Sequence, residues 1–142
     1  MKVMLRTARV EDAPAMVDLL RQLGYPGTGA FLAHRLAQLA AHPDALVQVA
    51  EVQGVLRGVI ALHFIPQLAL AGDFCRVAYL CVDEQARSLG IGALLERFAH
   101  EEAQRRGCER IELHSSAHRV DAHRFYARLG YEESPKYLAK KP

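Results

Sequence analysis

The six residues Arg87-Ser88-Leu89-Gly90-Ile91-Gly92 have the composition of an anion-binding turn. They stand between an apolar run of strand length and an amphipathic helical repeat, so the turn opens a helix. The first amides of a helix have no carbonyl one turn back to bond, and the dipole places positive charge at that end. Glycines at 90 and 92 let a bulky anion approach the backbone, and Arg87 adds a fixed guanidinium able to pair with phosphate oxygens. A pyrophosphate suits such a turn, although Gly-x-Gly alone reads equally as a plain connection from strand to helix. Two common nucleotide loops do not fit. A dinucleotide fingerprint requires a small residue at position 95, where Leu95 stands, and a Walker A loop requires Gly-Lys followed by Ser or Thr.

His114, His118 and His123, spaced by four and five residues, raise the question of a metal. With no adjacent cysteine or clear carboxylate partner, solvated or structural histidines are the better expectation, and no metal is predicted. Cys75, Cys81 and Cys108 are odd in number and lack C-x-x-C spacing. They suggest neither a disulfide framework nor a zinc ribbon, and fit a reducing, cytoplasmic compartment.

The positioning elements follow from periodicity. An extended segment begins near Leu5. A helix capped by Asp12 then carries Ala13, Met16, Val17, Leu20 and Leu23, and ends at Gly24 and Pro26. Thr28 is placed to cap a second helix, bearing Leu32, Leu36, Leu39 and Ala40, which His42-Pro43 stops. Residues 46–52 and 55–65 flank Gly54 as a hairpin, and Gly72-Asp73 makes a further turn. The apolar run Val77–Val82 reads as the central strand of a sheet covered on both faces. Ile91, Leu94, Leu95, Phe98 and Ala99 share one helix face, with Glu101/Arg105 and Glu102/Arg106 spaced for pairing, until Gly107. A strand near 109–115, a helix capped by Asp121 and running to Leu129, and an extended piece from Tyr131 to Ala139 complete the order β-α-α-β-β-β-α-β-α-β, an α/β fold of class α+β.

The 142 residues suit a single domain spanning 1–142, and 51% hydrophobic residues suffice for its core. The formal charge is +2, with basic residues spread along the chain, which argues against nucleic acid and suits a small anionic ligand. No stretch approaches 18 apolar residues, so no membrane partner is expected.

With these elements in place, the chain resembles the GNAT superfamily of acyl-CoA-dependent N-acetyltransferases, whose hallmark Arg/Gln-x-x-Gly-x-Gly/Ala reads here as Arg87 to Gly92. A second signature near the C-terminus, Phe-Tyr followed closely by Gly-Tyr, reads as Phe125-Tyr126-Ala127-Arg128-Leu129-Gly130-Tyr131. The resemblance implies a mixed sheet of six to seven strands with about four helices, and acetyl-CoA as acyl donor. It implies that the backbone of Leu80, Cys81 and Val82 holds the pantetheine arm like an added strand, and that Arg87, Ser88, Leu89, Gly90, Ile91, Gly92 and Ala93 cradle the pyrophosphate. Tyr126 would be the general acid for the leaving thiolate. A phenol of pKa about 10 can protonate a thiolate whose acid has pKa about 8.5 with help from hydrogen bonding. The segment 115–126 is similar to that of aminoalkylphosphonate N-acetyltransferases, whose anionic substrates Arg119 or Arg76 would bind. His123, three residues before Tyr126, shares its helix side and would contact substrate or orient the acid.

Many relatives carry a glutamate base on the strand ahead of the loop. This chain has Val77-Ala78-Tyr79-Leu80 there, with no carboxylate. Tyr79, Asp73, Glu112 and His63 are the candidates for the amine's proton, directly or through water, with Tyr79 the expected catalytic residue among them, and the resemblance implies the Val82 amide as oxyanion donor. The expected reaction is acetyl transfer from acetyl-CoA to a primary amine of a small molecule by direct attack in a ternary complex. A non-catalytic acyl-CoA-binding regulatory module and a protein or peptide N-acetyltransferase are the alternatives, and the resemblance also suggests a homodimer.

Overall fold

The computed structural model describes residues 2–114, 120–134 and 137–142. They fall into two compact units, Met1–Glu112 and Leu113–Pro142.

The first unit is built on a sheet of five strands in the order β1-β2-β3-β4-β5, comprising β1 (Val3–Thr7), β2 (Ala45–Val52), β3 (Val55–Ile65), β4 (Phe74–Val82) and β5 (Arg110–Leu113), whose last residue opens the second unit. The helices are α1 (Ala13–Leu23), α2 (Leu32–Ala41) and α3 (Ile91–Arg105). The first four strands pair antiparallel, with β2 and β3 turning at Gln53 and Gly54, both at positive φ. Element order agrees with the sequence expectation as far as the helix before Gly130. The expected six to seven strands are five among the described residues. The piece from Tyr131 to Ala139 forms no strand where it is described, and Glu132, Glu133 and Ser134 are exposed.

The middle strand is β3, not the apolar run at Val77–Val82. Its central residues Val59, Ile60, Ala61 and Leu62 are buried, because successive side chains enter opposite layers. On one face Val59, Val49 and Cys81 pack with Met16, Leu19, Leu20, Leu32 and Leu36 of α1 and α2. On the other, Gly58 lies under α3: a Cβ there would stand 2.7 Å from Ile91 Cγ2 and 3.1 Å from Leu95 Cδ1, both on fully buried side chains. Gly58→Ala is therefore expected to lower stability by about 1–2 kcal/mol, read as a lower urea midpoint with unchanged slope.

Asp12 stands at the N-cap position of α1 as expected, but its side chain makes no cap bond to that helix, and the expected Thr28 cap is displaced. Asp12 ends a short 3-10 turn, Val10–Asp12, and spends its carboxylate on Arg6 and the Arg9 amide. Thr28 opens a second 3-10 turn, so α2 begins from Phe31. On α3 the pairs differ from those expected: Arg105 pairs with Glu102, Arg97 with Glu101, and Arg106 reaches Asp44 and the Pro43 carbonyl with its guanidinium over the Phe64 ring.

In the second unit, α4 (Val120–Arg128) ends in a turn closed by Gly130 at φ 94. Asp121 lies inside its first turn, 3.8 Å from Arg124, and is not the cap.

Candidate active site

The turn from β4 into α3 is assembled from three directions. Asp83, directly after β4, accepts the Gln85 amide at 3.1 Å and caps the 3-10 turn Glu84–Leu89. Its other carboxylate oxygen takes Arg57 Nη1 at 2.7 Å, and its amide bonds the Arg57 carbonyl at 2.8 Å, so β3 holds it by side chain and backbone together. Burial alone would raise this carboxyl; the Gln85 amide, Arg57 and Gln22 outweigh it and keep the acid below its ordinary value. Gly90 then turns the chain in the left-handed region, φ 73, a conformation that costs glycine least.

The first backbone donors of α3 have no helical acceptor one turn back. The first α-helical bond in this stretch runs from the Leu94 amide to the Gly90 carbonyl, and no side chain caps the helix. The amides of Ile91, Gly92 and Ala93 thus have no helical partner. A Cβ at Gly90 would meet nothing within 4 Å, so the turn is open where an anion would approach. Arg87 and Ser88 are exposed, and Arg87 makes no ion pair among the described residues. Spare amides, an open approach and a free guanidinium fit a pyrophosphate group.

The strand before the turn is irregular at one point. Ala61 pairs with Tyr79 but Leu62 pairs with Val77, leaving Ala78 as a bulge with no residue opposite. Two neighbouring side chains, Ala78 and Tyr79, are consequently both exposed. Tyr79 is 39% exposed and meets the ring of Tyr25, just beyond α1, edge-on at 5.3 Å. On its other side β4 neighbours β5. The Glu109 amide bonds the Asp73 carbonyl, and Arg76 bonds Glu112 at 3.0 Å from Nε, so numbers rise together and the two strands run parallel. At that register β5 ends near the level of Val77, and Leu80–Val82 lie beyond it. Cys81 is buried and its thiol donates to the Leu19 carbonyl at 2.9 Å.

The remaining expected residues are more scattered. Glu112 pairs with both Arg76 and Arg110, which occupies Arg76 as well. His63 faces Arg76 across β3 and β4; burial first, then repulsion from the neighbouring His42 and Arg76, holds it below its usual value, which favours the neutral ring. In the second unit Tyr126 is half-buried between Phe125, at 5.1 Å, and Tyr131, at 5.5 Å, both edge-on. His123 is exposed on the same helix. Arg119 and His118 lie outside the described residues. His114 stacks against Tyr137 at 4.0 Å, and no group of three or more metal-binding side chains occurs among the described residues. No helix is long and apolar enough to cross a membrane among those residues. Sequence reasoning missed Gln22, Tyr25 and Asp83. Of these Asp83 alone carried a signal, an aspartate immediately ahead of a turn.

The profile of the acetyltransferase (GNAT) family matches residues 13–131, from the first residue of α1 to the tyrosine after Gly130. The chain belongs to that family. As a GNAT protein it is an acetyl-CoA-dependent acyltransferase, and the loop described above lies within the matched region. It is 33% identical over 135 residues to an aminoalkylphosphonate N-acetyltransferase of Salmonella typhimurium, an alignment covering 92% of this chain and 85% of that protein. Among solved structures it is similar to one described as a transcriptional regulator from Bacillus halodurans C-125, with a TM-score of 0.89 and 26% identity over 99% of both chains. Glucosamine-6-phosphate N-acetyltransferase of Arabidopsis thaliana shares the fold at a TM-score of 0.87, with 19% identity over 99% of both chains.

Proposed function

We propose that this GNAT protein moves an acetyl group from acetyl-CoA to the primary amine of a small molecule by direct attack in a ternary complex. The observation that carries the small-molecule acceptor is its 33% identity, across 92% of the chain, to an aminoalkylphosphonate N-acetyltransferase. An amine bearing an anionic head is accordingly the first acceptor class. Residues 1–142 act as one acetyltransferase domain, a reading supported by a family match that spans both compact units. Three free cysteines support a cytoplasmic setting. Neither nucleic acid nor membrane is needed as partner, and a homodimer rests on analogy with the family alone.

Acetyl-CoA supplies an activated thioester, and the chain's part is to bind, orient and move protons. Arg87 and the backbone of Ser88, Leu89, Gly90, Ile91, Gly92 and Ala93 hold the pyrophosphate, supported by the spare amides at the start of α3. Leu80, Cys81 and Val82 take the pantetheine arm along the edge that β5 does not reach, with the Val82 amide turned to the thioester oxygen. The amine nitrogen bonds the acetyl carbon as the carbon–sulfur bond breaks. Its proton leaves through water beside Tyr79, and Tyr126 protonates the departing sulfur. Arg76, Arg119 and His123 serve the acceptor's anionic head, Arg76 by exchanging its Glu112 partner for substrate. Attack is direct because the Cys81 thiol is buried and engaged with the Leu19 carbonyl, which leaves it poorly placed as a nucleophile.

Release of free CoA thiol, measured over aminoalkylphosphonates, polyamines, amino acids, aminoglycosides and a lysine peptide, tests the acceptor class. The expected result is release above the amine-free rate with aminoalkylphosphonates and none with the peptide. Release with the peptide alone would contradict it.

A further inference from the structure

The amides at the start of the Glu84–Leu89 turn are not left to solvent, and one of them is held from another layer of the fold. Gln22, in the last turn of α1, accepts the Glu84 amide through Oε1 at 3.0 Å. Its Nε2 donates to Asp18 at 2.8 Å and lies 3.5 Å from Asp83 Oδ1, the same oxygen that accepts the Gln85 amide. Successive amides, 84 and 85, are thus each bound by a side chain, whereas those of Ile91, Gly92 and Ala93 have no helical partner. The same end of α1 is joined to β4 by the Cys81 thiol, which donates to the Leu19 carbonyl. Gln22 is only partly buried and lies outside the hydrophobic cluster of α1. Its specific role is the contact it makes with this turn.

We propose that Gln22 and Asp83 are positioning residues for the acyl donor: together they brace the Glu84–Leu89 turn so that Arg87 and the open amides of α3 meet the pyrophosphate. Neither touches the donor. Gln22 acts through the Glu84 amide and Asp83 through the Gln85 amide, with Arg57 holding Asp83 from β3. The inference rests on the assignment of residues 87–93 to the pyrophosphate. It goes beyond that assignment by making donor affinity depend on a residue of the first helix.

Gln22→Met keeps the length of the side chain and removes the acceptor. Calorimetric titration with CoA is expected to show about fivefold weaker binding, the worth of one lost hydrogen bond to a positioned amide. KM for S-acetylpantetheine, which has no phosphate, is expected to stay within about twofold of wild type, because the brace acts only on the phosphate end. Asp83→Ala is expected to weaken CoA binding similarly and Asp83→Ser to restore most of it, since serine can also cap a turn. This second pair carries the test if Gln22→Met does not fold. Arg87→Ala serves as reference, with an expected loss of about tenfold. If Arg87→Ala weakens CoA binding and neither Gln22→Met nor Asp83→Ala does, the brace is overturned while the pyrophosphate assignment stands. If Arg87→Ala has no effect, that assignment fails and the brace falls with it. Equal losses for CoA and S-acetylpantetheine would show a general structural defect and also overturn the proposal.

Discussion

Replacement of Tyr126 by phenylalanine is expected to lower kcat about 100-fold while leaving KM for acetyl-CoA within about twofold. The ring already packs edge-on against Phe125 and Tyr131, so phenylalanine preserves the aromatic contacts and removes only the hydroxyl. In the proposed mechanism, what is lost is the proton delivered to sulfur as the thioester bond breaks. A thiolate is a fair leaving group unaided, which sets the effect at the low end of general acid catalysis. Steady-state rates at saturating amine, with thiol release as readout, measure it directly. Unchanged turnover would remove Tyr126 from the mechanism.

Asp12→Ala is expected to cost about 2–3 kcal/mol of folding stability, a fall in Tm of about 8 °C. Asp12 accepts two hydrogen bonds from Arg6, at 2.7 and 2.8 Å, and a third from the Arg9 amide at 2.7 Å, with its own side chain only 9% exposed. Arg6 also pairs with Glu51 on the neighbouring strand, so this group ties β1, β2 and the start of α1 together. Removing the aspartate leaves a largely buried arginine side chain with one carboxylate partner in place of two. The pair also predicts an acid limb. The Arg6 guanidinium, by hydrogen bonding, holds the Asp12 carboxyl below its ordinary value, against burial, which raises it. A depressed carboxyl contributes stability that is complete above the unfolded value of about 4 and lost as pH falls through the folded one. Thermal melts of wild type and Asp12→Asn are therefore expected to differ at pH 7 and to draw together as the pH falls below the ordinary carboxylate range. A constant gap across that range would contradict the pairing.

Much of this architecture is legible in the residues because local chemistry decides it. Gly90, Gly24 and Gly130 stand where the backbone takes positive φ, and the repeats of α1, α2 and α3 supply most of their buried faces, although Leu94 and Ala40 are exposed and the buried Leu19 lies outside the expected repeat. The hairpin at Gln53-Gly54 is equally local. Where tertiary structure decides, the sequence is silent. Val77–Val82 is as apolar as any central strand, yet the bulge at Ala78 turns Ala78 and Tyr79 to solvent, and β3 takes the middle place. Nothing in the alternation of residues 74–82 marks that bulge. The Gln22 brace and the Tyr25–Tyr79 contact join residues 62 and 54 positions apart by their numbering, so no local pattern announces them. The Arg87–Gly92 motif is readable for the opposite reason: its glycine, its spare amides and its arginine lie within one turn of chain. The proposed acceptor contacts, Arg76, Arg119 and His123, come from separate parts of the chain, and a sequence does not give their arrangement.

In the proposed mechanism the donor lies along Leu80–Val82 and across Arg87–Ala93. Backbone amide NMR of the isotopically labelled protein during titration with acetyl-CoA reads this residue by residue. The predicted result is saturable shifts that are largest at residues 80–82 and 87–93, with those of β1 and the β2–β3 turn little moved. Binding that shifts other amides while leaving 87–93 in place, or no binding at all, would contradict the assignment on which the mechanism is built.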